Sequence, residues 1–383
     1  MLPRKTDKGE NSMTTHIVGD LEIVGIVNHR AGGVGDPPSA LDFDPDFIRE
    51  AALAQEAAGY NRVLIANAAT MPESFAIGTY LAPQTRSLGF MMAHRPGFIA
   101  PTVTARHLAT IDRLSGGRAA VHIIVGADDR EVQADGAFNT KEHRYEVAGE
   151  YVEVMRKMWS SPEPFDHKGE FYTFNGAHAL VRPAHGAIPV YFGGTSDLAL
   201  DVCGRVADVY ALGGDTFAGA GALAARAHAA AARHNRAIKV LMTMVIIVGE
   251  TEEAAHARAA AMYGRVMAQV NAGGRGIMAA HEKDGDKAAA GAFQRMAAQA
   301  EEGEWLDRCL WTGLNKAYKG RGNNSVLVGT AEQVADSLME YRRLGITRFL
   351  LRGPDQINDA AIIGGKLVPL LRQKIAAQEA MTA

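Results

Sequence analysis

The chain alternates short apolar runs with longer segments in which apolar residues recur at helical spacing. LEIVGIVNH (21–29) and RVLIAN (62–67) are typical of buried strands, and FIREAALAQEAAGY (47–60) between them has the spacing of an amphipathic helix. The same alternation continues to the end of the chain. The later strand-like runs are RSLGFMMAH (86–94), RAAVHIIVGA (118–127), IPVYFGGTS (188–196), DVYALGG (208–214), IKVLMTMVIIVG (238–249) and TRFLLRG (347–353).

This alternation predicts the fold class. Near-continuous apolar strands between helices indicate a parallel sheet that is buried on both faces. Eight strand–helix units are the number that closes a (β/α)₈ TIM barrel, and we predict this α/β fold over residues 20–378. An open doubly wound sheet is the alternative, but it leaves edge strands in a set where every strand has a buried pattern. The polar tail at 1–19 is expected to be disordered.

Two segments interrupt the repeat. Residues 165–186 alternate in the manner of strands around Lys168-Gly169, which predicts a hairpin inserted before strand five. Residues 251–326 separate strand seven from its helix, begin with helical spacing and end in the loop KAYKGRGNNS. Long insertions of this kind are usually functional, so we expect this one to cover the barrel mouth.

Composition narrows the class of protein. The 383 residues are 47% hydrophobic and 22% charged, as in an ordinary globular protein with an ample core. A net charge of −3 gives no basic patch for nucleic acid or for a membrane surface, and no apolar run is long enough to span a bilayer. The two cysteines exclude a disulfide framework and fit a reducing cytoplasm. We expect a cytoplasmic enzyme.

Polar residues collect at the carboxyl ends of the strands, where barrel enzymes carry their active sites. His29 follows strand one, Asn67 follows strand two, His94 and Arg95 end strand three, and His122 lies within strand four. A single histidine in a strand is usually a core residue. Three histidines on neighbouring strands favour a site at one end of the barrel.

The sequence lacks the motifs of several classes of enzyme. The strands contain no His-x-His pair for zinc, and the chain has no G-x-S-x-G elbow, no G-x-G-x-x-G after strand one and no Walker loop. No metal is therefore predicted. The sequence GGTSD (193–197) does have the composition of an anion-binding turn at the start of a helix.

Taken in order, the motifs HRPGFIAPTVTARHLATIDRLSGGR (94–118), HIIVGADDREVQADG, EHRYEVAGEY, PVYFGGTSD and SVLVGTAEQVADSL are similar to those of the bacterial-luciferase-like flavin monooxygenases. The chain resembles their alkanesulfonate monooxygenase branch and, secondly, the pyrimidine monooxygenases. The resemblance implies a TIM barrel that uses reduced FMN, supplied by an NAD(P)H-dependent flavin reductase, to activate dioxygen. It also implies a homodimer or homotetramer.

The resemblance also implies which residues form the site. The implied flavin contacts are Asn67, Ala68, His122, Glu131, Arg144, Tyr145 and Ser196. His29 and Arg321 match catalytic positions, and the candidate substrate contacts are His94, Arg95, Thr243 and Arg352. At the position of His122, most relatives carry asparagine. Histidine can still bond to flavin there, although its charge and tautomer then matter.

The substrate is less constrained by the resemblance. Thr243 and Val245 replace the Arg-x-His pair of the sulfonate branch, Met71 replaces its cysteine, and about Pro354 its tyrosine. C–S cleavage of an alkanesulfonate-like compound is the first expectation. The alternatives are a sulfone, a nitrogen heterocycle cleaved at a C–N bond, a deazaflavin-dependent oxidoreductase and a non-catalytic flavin-binding member.

Overall fold

The structure, a computed structural model, describes residues 20–36, 39–126, 128–272, 292–320 and 325–382. Its strands are β1 (Glu22–Val27), β2 (Arg62–Ile65), β3 (Gly89–His94), β4 (Ala119–Ile123), β5 (Phe165–Lys168), β6 (Thr173–Ala177), β7 (Val190–Gly193), β8 (Val209–Gly213), β9 (Lys239–Val248), β10 (Trp305–Leu306), β11 (Leu310–Trp311), β12 (Val326–Gly329) and β13 (Arg348–Arg352).

Eight of these strands form a closed parallel barrel, which confirms the predicted fold. Their order around the ring is β9, β13, β1, β2, β3, β4, β7 and β8, and β8 pairs with β9 to close it. All eight pairings are parallel, so the carboxyl ends of the strands meet at one mouth. The open doubly wound sheet is therefore excluded.

Helices surround the barrel and follow most of its strands. They are α1 (Pro45–Ala57), α2 (Ser74–Leu81), α3 (Pro101–Ser115), α4 (Asp129–Ala134), α5 (Lys141–Ser160), α6 (Asp197–Val206), α7 (Phe217–Arg233), α8 (Glu252–Asn271), α9 (Ala292–Glu302), α10 (Gly313–Ala317), α11 (Ala331–Arg343), α12 (Asn358–Ile362) and α13 (Val368–Thr382), with a π-helical turn at Ile363–Leu367. A capping box starts α11, because Thr330 and Gln333 exchange side-chain-to-backbone hydrogen bonds.

The barrel interior is filled in layers. Its central layer packs Val24, Met91, Tyr191, Leu241 and Leu350, among others, into one apolar cluster. At the amino end of the barrel, the Glu22 carboxylate forms ion pairs with Arg62 and Arg348 and accepts a hydrogen bond from Tyr191. This buried ionic group fills the amino end of the barrel.

The described parts of both insertions are folded. Strands β5 and β6 form the predicted hairpin, and the Glu150 carboxylate on α5 holds it by accepting hydrogen bonds from the backbone of Phe171 and Tyr172 and from His167. In the longer insertion, β9 continues beyond the barrel and pairs with β12, which pairs in turn with β11. This extension has its own apolar core with α8 and α10.

Among the helices in the described ranges, none combines the length and the apolar composition needed to cross a membrane.

Candidate active site

The side chains that face the mouth follow from strand alternation. Because side chains alternate between the two faces of a strand, the residue two positions after each member of the central layer also points inward. This rule places Ala93, His122, Gly193, Thr243 and Arg352 in the layer nearest the mouth. Three of the predicted site residues therefore share one ring.

His122 is the polar group on the β4 side of this ring. It lies between Ala93 of β3 and Tyr191 of β7 in the ladder. Its Nδ1 atom is buried and has no hydrogen-bond partner. Burial lowers the pKa of His122 to about 4, so the imidazole is neutral at physiological pH. A neutral ring with an unused polar atom is suited to a ligand rather than to the packed core.

The GGTSD sequence forms a tight turn between β7 and α6. A Cβ atom on Gly194, whose φ is +142°, would lie 2.3 Å from the Tyr145 hydroxyl oxygen, so only glycine fits there. The Tyr210 hydroxyl donates to the Gly194 carbonyl at 2.8 Å. Ser196 caps α6 by accepting a hydrogen bond from the Ala199 amide at 3.2 Å. The turn presents an exposed hydroxyl at a helix N-terminus, which is a suitable position for a phosphate.

Arg144, an implied flavin contact, bonds to several groups of the protein. Its guanidinium donates to the Val125 carbonyl at 2.7 Å and to the Asn139 carbonyl at 2.5 Å, and it pairs with Asp129 at 2.8 Å. These bonds hold the segment after β4 and the start of α4. Because the guanidinium is buried and occupied, Arg144 positions this segment instead of facing an anion. Tyr145, its neighbour, does contact the GGTSD turn and stacks on Phe192.

Arg95 and Glu131 are joined to each other. Arg95 is 5% exposed, pairs with Asp135 at 2.7 Å and also forms an ion pair with Glu131. The Oε1 atom of Glu131 also accepts a hydrogen bond from the Ala69 amide at 2.8 Å. The pair thus fixes the segment after β2, in which Asn67 and Ala68 lie. Both groups belong to this network, and their roles as direct flavin and substrate contacts stay predictions.

The structure places His94 outside the barrel, and this corrects the prediction that it binds substrate. Its side chain points toward the helices, where Nε2 lies 2.8 Å from the Tyr151 hydroxyl and the ring stacks on Phe75 at 5.1 Å. Burial lowers the pKa of His94 to about 3. The residue follows Ala93, which faces inward, so strand alternation turns it away from the mouth.

Of the two residues predicted to be catalytic, His29 lies in the described part of the chain and Arg321 does not. His29 is half-buried in the segment after β1, where burial and the nearby Arg30 lower the pKa of its imidazole. Arg321 lies outside the described residues. Asn67 donates a long hydrogen bond of 3.4 Å to the Ala93 carbonyl, next to His122 in the ladder.

The longer insertion is attached to the mouth by a buried polar chain that the sequence did not predict. Gln299 on α9 donates to the Asp215 carboxylate at 2.6 Å, and Asn315 on α10 donates to Ser325 at 3.2 Å. Ser325 donates in turn to the Gly214 carbonyl at 2.8 Å. Asp215 follows strand β8, and its place at a strand end was the available signal.

The described residues contain no group of three or more histidine, cysteine, aspartate or glutamate side chains placed to hold a metal ion.

Comparisons with known proteins agree with this architecture. The model of the luciferase-like monooxygenase family matches residues 23–348. Among solved structures, a riboflavin lyase with modified FMN and riboflavin superposes with a TM-score of 0.73 at 18% identity, covering 92% of each chain. EDTA monooxygenase from Chelativorans sp. BNC1 gives a TM-score of 0.72 at 18% identity, covering 92% of this chain and 94% of that one.

A third solved structure is that of an enzyme that depends on a different cofactor, coenzyme F420. The coenzyme F420-dependent tetrahydromethanopterin reductase from Methanopyrus kandleri gives a TM-score of 0.65 at 17% identity, covering 92% of this chain and 99% of that one. Identities this low show a shared fold only, whereas the family match spans most of the chain. The chain therefore belongs to the luciferase-like monooxygenase family, whose members are flavin-dependent monooxygenases.

Proposed function

We propose that the protein is a two-component monooxygenase that takes reduced FMN from an NAD(P)H-dependent flavin reductase. The observation that carries this is the mouth itself, where the neutral His122, whose buried Nδ1 atom has no hydrogen-bond partner, shares its ring with the small residues Ala93 and Gly193. Small inward side chains leave room for a flat ring system. The Gly194–Ser196 turn at the start of α6 is a suitable cradle for the FMN phosphate.

The proposal assigns a role to each group. His122 and Asn67 hydrogen-bond the edge of the ring, Ser196 and the backbone of its turn bind the phosphate, and Tyr145 supports that turn. Arg95, Glu131 and Arg144 act indirectly by holding the segments after β2 and β4. When bound, reduced FMN supplies the electrons that activate dioxygen, so that one oxygen atom enters the substrate and the other leaves as water. The protein orients the two reactants and excludes water.

The substrate we propose is a small organosulfur compound that is oxidised and cleaved at a C–S bond. Sequence motifs support this choice, but Thr243 stands where the sulfonate branch has arginine. Arg352 provides a cation on the same side of the mouth, on strand β13 beside β9. Sulfones and nitrogen heterocycles are the alternative substrates for the same oxygen chemistry. A dimer or tetramer in the cytoplasm remains our expectation.

One experiment tests the chemistry and the substrate together. Purified protein is supplied with FMN and a flavin reductase under air, and a panel of alkanesulfonates, sulfones and heterocycles is followed by product mass and sulfite release. We expect sulfite from at least one sulfonate. Products from the other two classes without sulfite would reject C–S cleavage, and no product from any class would indicate a non-catalytic flavin-binding protein.

A deazaflavin-dependent oxidoreductase is the second candidate, because an F420-dependent reductase shares the fold. Titration of the protein with oxidised FMN and with F420, each followed by fluorescence, separates the two. We expect submillimolar binding of FMN only. Selective binding of F420 would reverse the assignment.

A further inference from the structure

The ring of side chains nearest the mouth has two unequal sides. On the side of β3, β4, β7 and β8 it presents His122 among Ala93, Gly193 and Ala211. On the side of β9 and β13 it presents the hydroxyl of Thr243 and the guanidinium of Arg352. Under the proposed function a flat cofactor fits the side with small residues, and the substrate is left with the side that carries the cation.

The insertion adds a second polar group to the cationic side. Tyr318, at the end of α10, packs against the apolar core of the insertion, and Val245 of β9 belongs to that core. Val245 is also the neighbour of Arg352 in the β9–β13 ladder. Tyr318 and Arg352 thus reach the same edge of the mouth from elements that are distant in sequence.

Electrostatics agree with this proximity. Burial lowers the pKa of Arg352, and Tyr318 opposes that change. Burial raises the pKa of Tyr318, and Arg352 opposes that change in turn. The phenol therefore remains a hydrogen-bond donor at neutral pH, beside a partly desolvated cation. Two donors of this kind favour an acceptor with negative charge, because charge-assisted hydrogen bonds are the strongest in such surroundings.

We propose that Arg352 and Tyr318 together bind the anionic group of the substrate, and that Tyr318 is the residue by which the insertion selects it. This inference rests on the proposed function for the position of the cofactor. The substrate class is a small organic anion with an apolar remainder, whose charged end lies at the β9–β13 edge and whose other end points toward His122. Thr243 supplies a further hydroxyl at that edge.

The test compares a charged ligand with a neutral one of the same shape. Butane-1-sulfonate and butyl methyl sulfone are titrated calorimetrically into the protein, with and without oxidised FMN. The variants are Tyr318→Phe, which removes one oxygen atom, and Arg352→Gln. The matched control is Tyr263→Phe, because Tyr263 packs against Trp311 in the same apolar core.

We expect the wild-type protein and Tyr263→Phe to bind the sulfonate at least tenfold more tightly than the sulfone. Tyr318→Phe should lose about tenfold and Arg352→Gln about a hundredfold in sulfonate affinity, as expected for hydrogen bonds to charged groups. Sulfone binding should not change. Equal affinity for the two ligands, or sulfonate affinity that neither variant lowers, overturns the inference. Absence of FMN binding would instead reject the proposed function, and the sulfonate titration without FMN still tests the pair.

Discussion

The side-chain amide of Gln299 donates a hydrogen bond of 2.6 Å to the buried carboxylate of Asp215. Gln299 lies on α9 of the insertion and Asp215 is the second residue after barrel strand β8, so this bond joins the insertion to the mouth. Arg295, one turn earlier on α9, pairs with the same carboxylate at 3.2 Å. The insertion is therefore attached at β8 as well as through the pairing of β12 with β9.

Replacing Gln299 should loosen this attachment without touching the mouth residues. The Gln299→Met variant leaves an Asp215 oxygen with one partner fewer, at a cost of about 1–3 kcal/mol. We expect a larger share of reduced FMN to be consumed without product, because water reaches a mouth that is less well covered. The ratio of product to hydrogen peroxide measures this. Gln294→Met on the exposed side of α9 is the control, and equal ratios in the two variants would contradict the role of the bond.

Removing Arg95 should disturb the segment after β2. The Arg95→Met variant leaves the Glu131 and Asp135 carboxylates without their buried cation, and breaking such a pair costs on the order of 3–5 kcal/mol before allowance for their partial exposure. Chemical unfolding measures the loss, and FMN titration should show affinity weakened about tenfold. A variant at the exposed Arg106, also changed to Met, should show neither effect.

Two substitutions at Glu131 test whether the same network acts by positioning the segment after β2. Glu131→Gln keeps an oxygen that can accept the Ala69 amide, whereas Glu131→Met does not. If the network acts by holding the segment after β2, the Glu131→Gln variant should keep most of the FMN affinity that the Glu131→Met variant loses. Equal affinities for the two variants would show that only the charge matters.

Much of the fold could be predicted from the sequence. Eight apolar strand runs and the helices between them follow from periodicity, because burial on both faces of a parallel sheet requires such runs. The small strands β10 and β11 and the helix α10 were not predicted, since two to five residues carry no detectable period. The insertion was expected as a covering loop, but its apolar residues build a core of their own.

The site residues divide according to strand parity. The resemblance implied His122, Thr243 and Arg352 as site residues, and the alternation of inward and outward side chains puts them on one ring. His94 was chosen for its place at the end of β3 but faces the helices, because it has the opposite parity from Met91 in the central layer. The environments of Arg144 and Arg95 could not be predicted for a second reason. A single sequence does not reveal which cationic side chains already bond to other groups of the protein.

The titration of His122 should not affect the pH dependence of FMN affinity in the physiological range. Its pKa of about 4 keeps the ring neutral from pH 6 to pH 8, so FMN affinity should stay within about twofold across that interval. His122→Asn keeps a neutral polar group, and we expect binding within about threefold of wild type, with a larger loss for His122→Leu. A tenfold change centred near pH 6.5 in the wild type alone would mean that the imidazole is exposed to water.

His94 should instead make the folded protein sensitive to acid. Its folded-state pKa, about 3, lies below the ordinary value of 6.5, so the unfolded chain binds a proton more readily than the folded one. Stability is therefore complete above pH 6.5 and falls as the pH drops toward 3, by about 2 kcal/mol for this group between pH 7.5 and 5. Urea unfolding of wild type and His94→Gln at both pH values isolates the contribution, because glutamine does not titrate. His228→Gln, which changes an exposed histidine on α7, should keep the wild-type dependence, and a His94→Gln protein with that dependence would place the acid sensitivity elsewhere.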